Sequence, residues 1–181
     1  MATPLGFCLF ATAIGDCAVA WTQDKLAAVQ LPGSTPAATR ARIERAHSGV
    51  AEVQPPEFVA AAIARIQGLL EGQRDDLADL PLDFGDLPDF QRQVYEIARA
   101  IPPGEVLTYG EVARRIGDPG AARAVGQALG HNPFAPVVPC HRVLAAGGRS
   151  GGFSAEGGAA TKLKMLEIER ARLGGTPGLF D

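Results

Sequence analysis

The sequence predicts a mixed α/β fold of the α+β kind, in which a small sheet near the start of the chain is followed by helices. Three strand-like segments lie within the first 31 residues, and the apolar residues of several later segments recur at helical spacing. The chain has 181 residues, of which 46% are hydrophobic and 20% charged, so it can bury a core without disulfides. No apolar run reaches the ~20 residues that a membrane helix needs, so the sequence predicts no membrane-spanning segment.

Three strands are predicted first. Residues 7–11 and 17–21 form a hairpin that turns at Gly15-Asp16, and residues 26–31 form the third strand. The apolar start of the chain does not fit a secretory signal peptide, because it has no basic residues before the apolar stretch and Asp16 interrupts it. Three cysteines are an odd number and too few for a disulfide framework, so we expect a reduced, cytoplasmic protein.

Two helices are predicted after the strands. Ser34 or Thr35 can cap the first helix, with Pro36 near its first position, and Gly49 lies just beyond its end. The second helix begins near Pro56 and carries apolar residues at helical spacing. Three strands and two helices make a small α+β domain, in which we find no catalytic pattern.

An acidic segment at residues 75–89, interspersed with proline and glycine, is typical of a solvated linker. It divides the chain into an N-terminal α+β domain at 1–74, the linker at 75–89, and a second domain at 90–181. The net charge of −3 does not itself favour a nucleic-acid partner, but it is unevenly distributed. Residues 1–89 carry a net charge of −6 and residues 90–181 a net charge of +3.

The second domain is predicted to open with an amphipathic helix over residues 90–101. Thr108 and Glu111 then match a T-x-x-E capping box, which predicts a helix that runs to about Ile116.

Gly117 closes this helix, and Asp118, with Pro119 after it, can cap another that reaches about Leu129. Two helices joined by a tight turn fit a helix-turn-helix unit, and an ordinary αα-hairpin in a core fits equally well.

The second helix of this pair has an unusual surface of small residues, including Ala122 and Gly126, around the long side chain of Arg123. Small residues allow a backbone to approach another surface closely. Against DNA, this pattern would bring the helix to a groove floor with one cation reaching inward. Against protein, it would give tight helix packing with a solvated arginine, and the spacing does not choose between the two.

A reactive pair follows at Cys140-His141. A thiol is nucleophilic as a thiolate, which a neighbouring imidazole can generate directly or through a water. Adjacent side chains on an extended segment would point to opposite faces, which favours the water. Taken alone, the dipeptide fits equally a buried structural cysteine beside an incidental histidine.

The longer string Pro139-Cys140-His141-Arg142-Val143, with Asn132-Pro133 before it, resembles the active-site motif of the O6-alkylguanine-DNA alkyltransferases. Further marks of that family occur in order over residues 90–173: Tyr109-Gly110-Glu111-Val112-Ala113, Ala121-Ala122-Arg123-Ala124-Val125-Gly126, Gly151-Gly152-Phe153-Ser154, and Lys162. The resemblance implies a ribonuclease-H-like N-terminal domain with a three-stranded sheet and a winged-helix-like C-terminal domain. It implies a monomer that binds double-stranded DNA in the minor groove and needs no cofactor.

The resemblance also implies roles for single residues. Cys140 would accept the alkyl group from a damaged guanine, in a single irreversible turnover, with His141 as its base through a water. Asn132 would brace the active-site turn, and Tyr109 would contact a phosphate and protonate the departing guanine. Arg123, flanked by Ala122 and Gly126, would fill the space that the flipped base leaves.

The base itself would be held by the Ser154 hydroxyl and by the carbonyls of Cys140 and Val143. Phe153 stands where a tyrosine is common in the family, and an insertion at residues 155–158 precedes Lys162, so the accepted alkyl groups are not predicted. Activity on O4-alkylthymine is not predicted either.

Two carboxylates on the last helix are candidates for orienting His141. The insertion at residues 155–158 changes the spacing between Cys140 and the last helix, so the count is made from Lys162, which follows the insertion. The carboxylate seven residues after Lys162 is Glu169. The helical pattern agrees, because Glu169 shares a face with Leu166 while Glu167 lies about 100° away. We expect Glu169 to be buried against His141 and Glu167 to be solvated.

Other functions remain open from the residues alone. A lesion-binding protein without transfer activity would lack the cysteine, which is present, and a cysteine hydrolase would leave the helix-turn-helix unit unexplained. Some family members bind zinc in the N-terminal domain, but Cys8, Cys17 and His47 match no zinc spacing, so no metal site is predicted.

Overall fold

The computed structural model describes residues 2–148 and 158–172 and confirms the predicted α+β class. An antiparallel sheet is formed by strands in the order β1 (Gly6–Thr12), β2 (Gly15–Trp21) and β3 (Leu26–Gln30). The hairpin turn lies at Ala13-Ile14 and not at Gly15-Asp16. The prediction was two residues late because Gly15, with φ of 121°, already pairs with Thr12 as the first residue of β2.

Two helices, α1 (Pro36–Ala46) and α2 (Glu57–Leu70), cover opposite faces of this sheet. Thr35, one of the two predicted caps, accepts a 3.0 Å hydrogen bond from the Ala38 N–H at the start of α1. Ile43 of α1 packs on the face that carries Ala18 and Ala20. Cys17, Val19 and Trp21 of β2 point to the opposite face and pack with the apolar side of α2, as the two-residue period of a strand requires.

The acidic segment is packed against both parts of the chain. Asp75 and Asp79 form ion pairs of 2.8 and 2.7 Å with Arg65 of α2. Leu77 is buried, and Arg99 donates hydrogen bonds to three carbonyls of the segment. The segment is therefore not solvated throughout, since two of its aspartates pair with Arg65 and its Leu77, Leu80 and Leu82 are buried, while Asp76 and Asp86 are exposed.

In the C-terminal part, the residues that the structure describes form four α-helices and a two-stranded sheet. They are α3 (Asp89–Arg99), β4 (Leu107–Thr108), α4 (Tyr109–Ile116), α5 (Ala122–Gly130), β5 (Val143–Leu144) and α6 (Gly158–Ile168), with β4 and β5 parallel. The predicted capping box of Thr108 and Glu111 is present at the start of α4.

The helix α5 begins later than predicted. Gly117 ends α4 with φ of 95°, and the Asp118 N–H then bonds to the Ala113 carbonyl at 3.0 Å. The Asp118 carbonyl accepts the Ala121 N–H, so residues 118–121 form a turn and Asp118 is not the cap of α5.

One contiguous core joins the sheet and α2 to the helices α3, α4 and α5 and to the segment that leads to Cys140. The Val29 N–H of β3 donates to the Pro133 carbonyl at 2.9 Å, and Val29 pairs with Phe134. The Phe134 ring lies edge-on to Phe84, with ring centroids 5.7 Å apart. The edge of the N-terminal sheet thus holds the segment before the reactive cysteine.

None of the described helices combines the length and the apolar character that crossing a membrane would require.

Candidate active site

Cys140 lies in a buried turn between the two parts of the chain. Cys140–Arg142 form a single 3-10 turn, so the expected extended segment at this position is not observed. The Asn132 amide donates to the Val138 carbonyl at 2.8 Å, and its oxygen accepts the Phe134 N–H at 2.9 Å. Both hydrogen bonds close the loop before the cysteine, which is the bracing geometry predicted for Asn132.

His141 is held by Glu169, as the register argument predicted. Its Nε2 lies 2.8 Å from Oε1 of Glu169, and both side chains are buried. Glu167 is half exposed and lies 3.7 Å from Lys164. The Glu169 N–H still bonds to the Met165 carbonyl, so Glu169 completes the last turn of α6 just beyond Ile168.

The hydrogen bond between His141 and Glu169 determines which nitrogen of His141 can take a proton. Burial acts to raise the pKa of Glu169, but hydrogen bonds and charge from His141 and Arg142 lower it to about 2. Burial lowers the pKa of His141, so the ring is neutral near pH 7. A neutral ring that donates Nε2–H to a carboxylate has an unprotonated Nδ1, which is buried here without a hydrogen-bond partner among the described residues. Nδ1 is therefore available as a base.

Arg142 is a site residue that sequence reasoning missed. It is buried, and it donates to both oxygens of Glu169 at 3.0 and 2.7 Å and to the Ile101 carbonyl at 2.7 Å. This permanent cation keeps Glu169 ionised and fixes its orientation toward His141. An arginine in an apolar stretch was the available signal, because a buried charge needs a partner.

Lys162 is the second residue whose role was missed. It is buried, its Nζ donates to the Val143 carbonyl at 2.7 Å, and Nζ lies 5.7 Å from the ring centroid of Tyr109. Burial lowers the pKa of Lys162 to about 8. The signal in the sequence was its position three and four residues before Met165 and Leu166, on the apolar face of α6.

The Cys140 thiol is influenced by these groups. Burial raises its pKa, while contact with the Asn132 side chain and the charge of Lys162 act to lower it. A thiolate at this position would thus have a cation and an amide beside it, with a histidine base in the next residue.

The remaining predicted residues are only partly described. Tyr109 opens α4 with a half-buried ring, and a Cβ added at Gly126 would meet its Cε1 at 3.9 Å, so α4 and α5 meet here. The Val143 carbonyl, expected to receive the base, accepts the Lys162 bond. Ser154 and Phe153 lie outside the described residues.

The outer surface of the helix pair is basic. Arg123 on α5 is exposed and forms no ion pair with the residues that the structure describes, and Arg114 and Arg115 are exposed on α4. Ala122 and Gly126 are half-buried beside Arg123. Within residues 2–148 and 158–172, no three His, Cys, Asp or Glu side chains are grouped to hold a metal ion.

The fold and the site define a class of protein in which a buried cysteine, next to a histidine held by a carboxylate, lies near two helices, α4 and α5, that are joined by a short turn. Residues 89–171 match the family model described as "6-O-methylguanine DNA methyltransferase, DNA binding domain". The methylated-DNA–protein-cysteine methyltransferase of Mycolicibacterium paratuberculosis is 43% identical over 126 residues, which are 70% of this chain and 74% of that one. The chain belongs to the methylated-DNA–protein-cysteine methyltransferase family.

Solved structures agree over nearly the whole chain. The Mycobacterium tuberculosis OGT in complex with DNA matches with a TM-score of 0.74 and 33% identity, covering 97% of this chain and 99% of that one. The O6-methylguanine-DNA methyltransferase of Pyrococcus kodakaraensis matches with a TM-score of 0.72 and 27% identity, covering 90% and 98%. The similarity therefore includes the N-terminal sheet as well as the reactive segment.

Proposed function

We propose that this protein repairs DNA directly, by moving an alkyl group from O6 of guanine in double-stranded DNA onto Cys140. The observation that carries the proposal is the buried pair of His141 and Glu169, next to the thiol, in which Nδ1 of His141 has no hydrogen-bond partner within residues 2–148 and 158–172. Family membership supports the reaction, and this geometry supports the roles proposed for Cys140, His141 and Glu169.

The transfer is a displacement at the alkyl carbon. His141 takes the thiol proton at Nδ1 through a water, and the Cys140 sulfur forms a bond to the carbon as the bond to O6 breaks. The electron pair goes to the departing guanine, which takes a proton from Tyr109. Lys162 and Asn132 stabilise the thiolate before it attacks. A thioether is a poor leaving group, so each molecule acts once.

Reaching O6 requires that the nucleotide leave the base stack, which costs a few kcal/mol and costs least for a mispaired lesion. We infer that α5 lies in the minor groove, where Ala122 and Gly126 permit close approach, and that Arg123 fills the vacated space. Arg123 and Gln127 are the only long polar side chains within α5, and this small number predicts little sequence preference.

The flipped base would be held by the carbonyls of Cys140 and Val143 and, according to the family resemblance, by Ser154 and Phe153. A carbonyl has two lone pairs, so Val143 can receive the amine of the base while it accepts the Lys162 bond. We propose a cytoplasmic monomer, and the three free cysteines support the reducing, cytoplasmic location.

The test is the intact mass of the protein after incubation with a duplex that contains O6-methylguanine. The expected result is one added CH2 group, which peptide mapping locates on Cys140. Cys140→Ser should abolish the adduct and keep lesion binding, because serine is similar in size but far less nucleophilic.

Cys8→Ser is the matched control and should react normally, since burial raises the pKa of Cys8 to about 11 and keeps it protonated. Tight binding without an adduct would indicate a lesion-binding protein instead, and an alkyl group on Cys8 or Cys17 would overturn the assignment.

A further inference from the structure

A cavity of about 330 Å³ opens beside Cys140, between the reactive turn and the N-terminal part of the chain. Cys140, Asn132 and Ala135 line one side of it, and Gln30 of β3 and Arg42 and His47 at α1 line the other. We call it the β3–α1 pocket. A methyl group is about as large as a water molecule, which has a share of about 30 Å³ in the liquid, so this space is far larger than a methyl group fills.

The side of the pocket formed by β3 and α1 combines small and apolar residues with the polar side chains of Gln30, Arg42 and His47. Arg42 is half-buried and forms no ion pair or hydrogen bond with the described residues, in contrast to Arg40, which pairs with Glu52 at 2.9 Å. No aspartate or glutamate is among the described residues that line the pocket. An anion that enters would therefore meet a cation that has no competing carboxylate.

Two neutral polar groups accompany this cation. Gln30 is 9% exposed and lines the pocket, and the NH2 group of its side-chain amide can donate a hydrogen bond to a carboxylate, which only accepts. Burial lowers the pKa of His47, so its ring is neutral near pH 7 and can donate one hydrogen bond. Both groups can therefore donate to the oxygens of an anion that Arg42 attracts.

We propose that the β3–α1 pocket is a subsite for O6-alkyl groups that end in a carboxylate, with Arg42 as the residue that receives the anionic end. The inference rests on the proposed alkyl transfer and names a substrate class for it. The chemistry is unchanged: the sulfur of Cys140 bonds to the first carbon of the chain, its bond to O6 breaks, and the guanine departs with a proton. The carboxylate takes no part in the bond changes and serves to place the chain.

The experiment compares single-turnover transfer from three duplexes, which carry O6-methylguanine, O6-carboxypropylguanine and the uncharged amide of the latter. The amide has nearly the same size, so the ratio of the acid rate to the amide rate isolates the effect of charge. Arg42→Gln should lower the acid rate about tenfold, as expected for one lost charge-assisted hydrogen bond, and should leave the methyl rate unchanged.

Arg45→Gln is the matched control, because Arg45 lies on the same helix, is exposed and does not line the pocket. It should leave all three rates unchanged. The same acids and amides are also tested as free bases, which carry no phosphate. Loss of the acid preference with the free base would show that Arg42 binds a DNA phosphate and would overturn the subsite.

Equal transfer rates for the acid and the amide in the unchanged protein would overturn the proposed subsite as well. Failure of the proposed function gives a separate result, since the unchanged protein would then form no adduct with the O6-methylguanine duplex.

Discussion

At the scale of single residues, the carboxylate of Glu169 is expected to set the reactivity of Cys140. Glu169→Gln removes the charge that holds His141, so transfer from the free base O6-benzylguanine should slow about 10- to 100-fold. The rate should also require a higher pH, because a weaker base leaves the thiol protonated to a higher pH. Rates measured against pH test both effects, and Glu167→Gln, which changes a half-exposed carboxylate, should alter neither.

The same substitution leaves the cation of Arg142 buried without its partner, which costs about 3–5 kcal/mol of stability. Urea unfolding identifies conditions in which the variant stays folded, and rates are compared there. A normal pH profile for Glu169→Gln, or a slowed Glu167→Gln, would contradict the assignment. The sequence could predict Glu169 from its register with Lys162. It could not predict the partner of Arg142, because that contact joins residues 27 apart and depends on how α6 packs against the turn.

At the scale of elements, the helix α5 should determine how well the protein acts on duplex DNA. Arg123→Ala should slow repair of an O6-methylguanine duplex by about tenfold or more at saturating protein, because the extruded base loses its replacement in the stack. Reaction with free O6-benzylguanine should be unchanged. Arg115→Ala is the control: it should weaken DNA binding, with normal rates restored at higher protein concentration. Equal losses on duplex and free base would point to damage to the pocket.

Most helices and strands could be predicted from the sequence, because a hairpin, a capping box and a stripe of apolar residues at helical spacing are local sequence patterns. The start of α5 was not, because Asp118-Pro119 has the composition of a helix start while its backbone hydrogen bonds complete the end of α4. The 3-10 turn at Cys140 was missed for a related reason. Asn132 and the edge of β3 impose it through contacts that local composition does not contain.

At the scale of the whole molecule, the division into domains at 1–74 and 90–181 stays a prediction. The core that these two parts share determines whether they unfold together or separately. The segment between them is anchored by Arg65 and Arg99, and β3 bonds directly to the segment before Cys140. Apolar residues from both parts belong to one cluster. Separating them would expose that surface and break the bond between Val29 and Pro133, so we expect the two parts to unfold together.

Urea unfolding followed by two probes tests this. Fluorescence of Trp21, the only tryptophan, reports on the sheet, and far-UV circular dichroism reports mainly on the helices. The two midpoints should coincide. Phe134→Ala, which removes the buried ring between β3 and Phe84, should lower both midpoints together, at a cost of about 3–5 kcal/mol. If the Trp21 transition separates from the helical one in the unchanged protein, or if Phe134→Ala moves only one of them, the parts fold independently and the β3–α1 pocket lies between two units that can move apart.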